Sequence, residues 1–106
     1  MFGRQVTLKL KANSATELTR IATMEILPIL RKQKGFRDET TFIAPERSEA
    51  IVNSFWDTKA DAEAYGHTAY SEVLKTLSNV IDGTPTVKNF EFASSTLQQV
   101  AGSKLM

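Results

Sequence analysis

The sequence contains no cysteine, which excludes disulfides, thiol nucleophiles and thiolate metal sites. Histidine occurs once. One imidazole cannot make a multi-histidine metal site within a chain, although a symmetric oligomer would double it. No sign of charge dominates: 13 Lys and Arg stand against 12 Asp and Glu, for a net charge of +1. A balance this even argues against nucleic acid or an anionic membrane as the main partner. Long apolar runs are also missing. The longest, ILPIL at residues 26–30, falls far short of the roughly 20 residues that a helical bilayer crossing needs. The opening MFGRQVTLKLK has no apolar leader, so a cytoplasmic location is expected. The closing SKLM resembles a peroxisomal address, but that signal needs SKL at the very end and Met106 displaces it.

What is present fits a single globular domain: 106 residues, 42% hydrophobic and 24% charged, a composition typical of water-exposed domains. A domain of this length buries only about two-thirds of its unfolded surface, so its stability alone is modest.

Residues 4–11, RQVTLKLK, alternate, with Val6, Leu8 and Leu10 on one side and Thr7, Lys9 and Lys11 on the other. That is the period of a strand buried on one face. Ser14 and Glu17 have the spacing of a capping box. A helix is expected from Ala15 to Lys34, with Leu18, Ile21, Ala22, Ile26, Ile29 and Leu30 as its apolar stripe. Pro28 removes one helical hydrogen bond and predicts a kink or a break near Met24 to Pro28, and Gly35 supplies a left-handed stop. Strands are predicted over residues 36–44 and 50–56, joined as a hairpin by the polar turn PERSEA. Thr58 with Asp61 caps a short helix reaching Tyr65. Gly66 is expected to interrupt that helix and Thr68 to restart it. Val73, Leu74, Leu77, Val80 and Ile81 form the next stripe, ended by Asp82-Gly83. The last strand is expected over residues 86–92.

The order strand, helix, strand, strand, helix, strand predicts an α+β, ferredoxin-like βαββαβ fold. Its four-stranded antiparallel sheet carries both helices on one face. The other face is left bare, which favours pairing with a second copy. The domain is expected to span residues 1–93, followed by a partly ordered tail over residues 94–106.

The alternating first strand, the long helix with an internal proline ending at Gly35-Phe36, the segments FWDTKADAEAY and Y-x-E-V-L-K-x-L, and the closing TVKNFEF resemble the antibiotic biosynthesis monooxygenase family, which are dimeric α+β barrels. The resemblance covers residues 1–93 and implies a homodimer. It also implies one of three functions: cofactor-free oxidation of phenols to quinones, heme degradation, or no catalysis. Heme degraders of this kind use an asparagine, a tryptophan and an iron-ligating histidine. An ungapped correspondence places Val6, Tyr65 and Lys75 there, so heme is not expected, nor is any other cofactor or metal.

Oxidation of a phenol by oxygen needs an apolar, ring-shaped cavity, hydrogen bonds that favour the phenolate, and a group that moves a proton. The resemblance places that cavity between sheet and helices, lined by Val6, Leu8, Trp56, Tyr65, Phe90 and Phe92, with Asn53, His67 and Tyr70 as its polar groups. His67, Tyr65 and Asn53 are the candidate catalytic residues. Trp56, Tyr70, Val6, Leu8, Phe90 and Phe92 are the candidates for binding a small aromatic substrate. Each also has a plainer role: Trp56 as core packing, His67 as a solvated or capping residue at a helix break, the tyrosines as rim residues, and Asn53 on the solvent or dimer face. The alternative function is a non-catalytic dimeric binding or stress-response module. An RNA-binding domain of the same topology would carry glycine and basic residues on strand three; AIVNSFWDT has neither.

Overall fold

The computed structural model describes residues 1–94. Strand β1 (Phe2–Leu10) leads into a long helical segment comprising α1 (Ala15–Ile21), a π-helical stretch (Ala22–Ile26) and α2 (Leu27–Arg31). The hairpin β2 (Phe36–Ile43) and β3 (Glu49–Trp56) follows, then α3 (Lys59–His67), α4 (Tyr70–Leu77) and β4 (Ile81–Glu91). All strand pairs are antiparallel, in the order β2-β3-β1-β4. This is the expected α+β arrangement with one covered sheet face.

The expected kink takes the form of a π turn. Pro28 has no amide to donate to Met24, and upstream of it the Leu27 amide bonds to the Ala22 carbonyl, five residues back. The extra residue re-aims Ile26, whose side chain is buried. Gly35 has φ +80°, and its carbonyl accepts the Asp57 amide at 2.8 Å. A Cβ there would stand within 2.1 Å of the Asp61 carboxylate, so only glycine lets the chain pass beneath α3.

Several local expectations are corrected. Ser14 makes no side-chain cap: its φ −104° and ψ 0° are not the extended backbone of a capping residue, its amide bonds the Lys11 carbonyl, and Glu17 meets Arg20 at 2.6 Å. Gly66 lies inside α3; the break falls at Thr68, whose φ −124° and ψ −82° leave helical space. The second stripe ends earlier than expected: α4 stops at Leu77, and Ile81 opens β4. Thr58 does cap α3, its Oγ1 accepting the Asp61 amide at 3.1 Å. The expected tail lies almost wholly outside the described residues.

On the covered face β1 presents Phe2, Arg4, Val6, Leu8 and Leu10, and β3 presents Ala50, Val52, Ser54 and Trp56, all buried. Leu18, Ile21, Ile26, Leu30, Tyr65, Val73 and Leu77 pack down on them from the helices. The opposite face carries Phe42, 62% exposed, and Phe90, 50% exposed.

Candidate functional site

The most unusual residue on the covered face is Arg4. Alternation along β1 places it in the same phase as Val6 and Leu8, so its side chain runs under the helices and is only 9% exposed. Its guanidinium carbon lies 4.3 Å from the centroid of the Tyr70 ring and 5.5 Å from that of Tyr65. Gly66 comes so close that a Cβ there would meet Arg4 Nη1 at 3.0 Å. A glycine inside a helix costs about 0.5–1 kcal/mol relative to alanine; here it makes room for a cation.

Arg4 Nε is buried without a hydrogen-bond partner, and Arg4 forms no salt bridge among the described residues. A charge taken out of water costs several kcal/mol unless it is paired. Cation–π contact with Tyr70 returns about 2 kcal/mol of that when desolvated. The difference leaves a site that would gain from a negative group.

Beside Arg4 lies a small, partly open cavity of about 20 Å³, walled by Val6, Val52, Ser54, Tyr65, Tyr70 and Val73 among others. That is room for a single water molecule. Trp56 buttresses the wall from behind. It is fully buried, stacks on Tyr65 at 5.0 Å and 27°, and meets Phe36 edge-on. Its Nε1–H donates to Ser54 Oγ at 2.9 Å. Burial pushes both tyrosine hydroxyls toward the neutral form, while the Arg4 charge pulls them partly back. Both are therefore phenols at neutral pH, able to donate a hydrogen bond.

The row containing Arg4 runs across the sheet through Ser54 to Glu39. Glu39 is half-buried, and burial raises its carboxyl above the usual range despite the 2.5 Å bond it accepts from Thr41 Oγ1. Arg4 and Glu39 were both missed in the sequence, although alternation alone places Arg4 beside Val6.

The expected site divides between the two sheet faces. Val6, Tyr65 and Tyr70 reach the covered cavity, Trp56 supports it, and Leu8 is fully buried core. Asn53, Phe90 and Phe92 do not belong to it. They line a shallow depression on the helix-free face with Gly3, Gln5 and Phe55, because Asn53 is one residue out of phase with Val52 and Ser54, and Phe90 pairs with Gly3. Asn53 is held there by Thr40 Oγ1, which its Nδ2 approaches at 3.2 Å. His67 is exposed at the end of α3. Two residues beyond Tyr65, it points to the opposite side of the helix, so it does not share a pocket with Tyr65 and Trp56. Among the described residues, no group of three or more His, Cys, Asp or Glu side chains is placed to hold a metal ion. None of the described helices is long and apolar enough to cross a membrane.

The sequence matches no family model and no curated protein. Solved structures are similar throughout. The monooxygenase from the gene ActVA-Orf6 of Streptomyces coelicolor, solved with nanaomycin D, superimposes with a TM-score of 0.76 at 19% identity, over 91% of this chain and 90% of its own. A protein of unknown function from Nitrosomonas europaea gives 0.71 at 15% identity, over 91% and 92%. A candidate antibiotic biosynthesis monooxygenase from the same organism gives 0.71 at 14% identity, over 89% and 100%. The resemblance drawn from the sequence therefore holds for the backbone: this chain has the fold of the antibiotic biosynthesis monooxygenases.

Proposed function

We propose that the protein is a small dimeric monooxygenase-like enzyme that oxidises an aromatic or quinol-type molecule with oxygen and no cofactor. The observation that carries this proposal is the Arg4 guanidinium facing Tyr65 and Tyr70 beneath the helices, its Nε buried without a hydrogen-bond partner among the described residues. Similarity of fold to the Streptomyces coelicolor monooxygenase supports it.

An ionised phenol gives an electron to oxygen far more readily than its neutral form. Arg4 would stabilise the phenolate electrostatically, and the neutral Tyr70 hydroxyl would donate to the same oxygen. The overall change balances without a reductant: a phenol with a para C–H and one O2 become a quinone and one water. One oxygen atom enters the ring and the other leaves as water.

The cavity holds no more than water, so substrate entry requires α4 to move off the sheet about the Thr68–Ala69 link. The helix-free face, with Phe42, Ile51, Phe55 and Phe90, is the proposed homodimer surface. The second reading is a dimeric binding or stress-response module that keeps the fold without the chemistry; the low identity of the structural neighbours, one of them of unknown function, leaves room for it.

Oxygen uptake with dihydroxynaphthalene- and dihydroxyanthracene-type phenols separates the two. Uptake above the no-protein rate, lost in Arg4→Met and kept in His67→Ala, is the expected result. Rates equal to the blank would leave the binding module.

A further inference from the structure

Resting on the assignment of this cleft as a ligand site, we infer that Arg4 selects the ligand's charge: the cleft takes a planar aromatic molecule bearing one anionic oxygen group, a phenolate or a carboxylate, and rejects its neutral isostere.

The inference stands first on what surrounds the guanidinium. Nε is buried and, among the described residues, without a partner. Among the described residues no carboxylate lies within ion-pair distance of it: on its side of the sheet the acidic strand residues are Glu39, two strands away and engaged by Thr41 Oγ1, and Glu91, exposed on the adjacent β4 opposite Phe2. The ion pairs of the described residues use Arg20 and Arg37 instead. Residues 95–106 contain no Asp or Glu, so no acidic side chain from that stretch can serve either. The groups that face Arg4 are two phenols that burial keeps neutral, Tyr65 and Tyr70, and the backbone of Gly66.

The wall chemistry supplies the second half. Tyr65 and Tyr70 meet edge-to-face at 6.0 Å, while Val6, Val52, Val73 and Leu77 complete an apolar lining. An aromatic ring is the body that such walls accept, and the single cation among them fixes which end points inward. Charge-assisted bonds of this kind are about twice as strong as neutral ones. A neutral analogue would bury the guanidinium and still leave it unpaired. That asymmetry predicts a preference of at least about 10-fold for the anion.

The test is isothermal titration of the whole chain with 4-nitrobenzoate, 4-nitrophenolate and the neutral 4-nitrobenzamide, each against the wild type and Arg4→Met. Tighter wild-type binding of either anion by about 10-fold or more, with the preference collapsing in Arg4→Met while the amide's affinity is kept, is the expected result. The tighter of the two anions then names the group. Equal wild-type affinities for anions and amide would overturn charge selection and leave the ligand cleft standing; binding of none of the three would overturn both. A preference surviving in Arg4→Met would overturn the role of Arg4. Should Arg4→Met not fold, the wild type alone decides through the colour of 4-nitrophenol at the pH of its half-ionisation. A shift toward phenolate on binding is expected, and no shift, or a shift toward the phenol, would overturn the inference.

Discussion

The Arg4 guanidinium sits 4.3 Å from the centre of the Tyr70 ring on the covered face of the sheet, with Nε lacking a hydrogen-bond partner among the described residues. Arginine reaches such positions in most proteins as half of an ion pair. Here the aromatic ring is its main support, and that distinction has a measurable consequence. Breaking a buried ion pair by removing one partner costs about 3–5 kcal/mol, whereas removing an unpaired buried charge relieves a penalty. Arg4→Met, which keeps the alkyl stem, should leave the urea midpoint unchanged or raise it. A loss of about 3 kcal/mol or more would show that a carboxylate is paired with Arg4 after all.

Gly66→Ala should separate stability from binding. Alanine favours the α3 helix by about 0.5–1 kcal/mol, but its Cβ would press on Arg4 Nη1. The two effects nearly cancel, so thermal unfolding should move by less than about 1 kcal/mol, while affinity for 4-nitrobenzoate falls. Unchanged affinity would mean that Arg4 Nη1 does not need its present place.

Gly35→Ala should behave differently. Its φ of +80° costs a β-carbon about 1–2 kcal/mol, and the Asp61 side chain already fills the space the methyl would take. A loss of at least about 2 kcal/mol is expected by chemical denaturation. Gly35→Ala combined with Asp61→Ala should recover the part that comes from the clash.

Glu39 gives a pH signature. Its folded-state carboxyl is raised by burial, so its contribution to stability is fully present below the ordinary glutamate range and is lost as pH rises through the raised value. Glu39→Gln should therefore be more stable than wild type at neutral pH, and the two curves should converge on acidification. A constant offset at every pH would show that Glu39 titrates normally.

Much of the fold was legible because the period of each element is written in its apolar residues. Val6, Leu8 and Leu10 gave the covered face of β1, and Pro28 and Gly35 gave the bend and the stop of the first helix. Failures came where that rule was applied by residue type. Arg4 shares the phase of Val6, yet a cation is ordinarily read as outward-facing. Phe90 and Phe92 were read as inward because they are aromatic, yet their register with Gly3 puts Phe90 on the helix-free face. His67 was grouped with Tyr65 by closeness in sequence, although two residues along a helix turn the side chain away. Gly66 reads as a helix break in the sequence because nothing there says that an arginine 62 positions earlier passes beneath it.

The location of the ligand is the central claim, and contacts between ligand and protein protons test it most directly. With 4-nitrobenzoate bound to isotope-labelled protein, nuclear Overhauser effects should run from the ring protons to Val6, Tyr70 and Val73 beneath the helices. Effects running instead to Phe55 and Phe90 would place the ligand on the opposite sheet face and contradict the assignment of the site to Arg4.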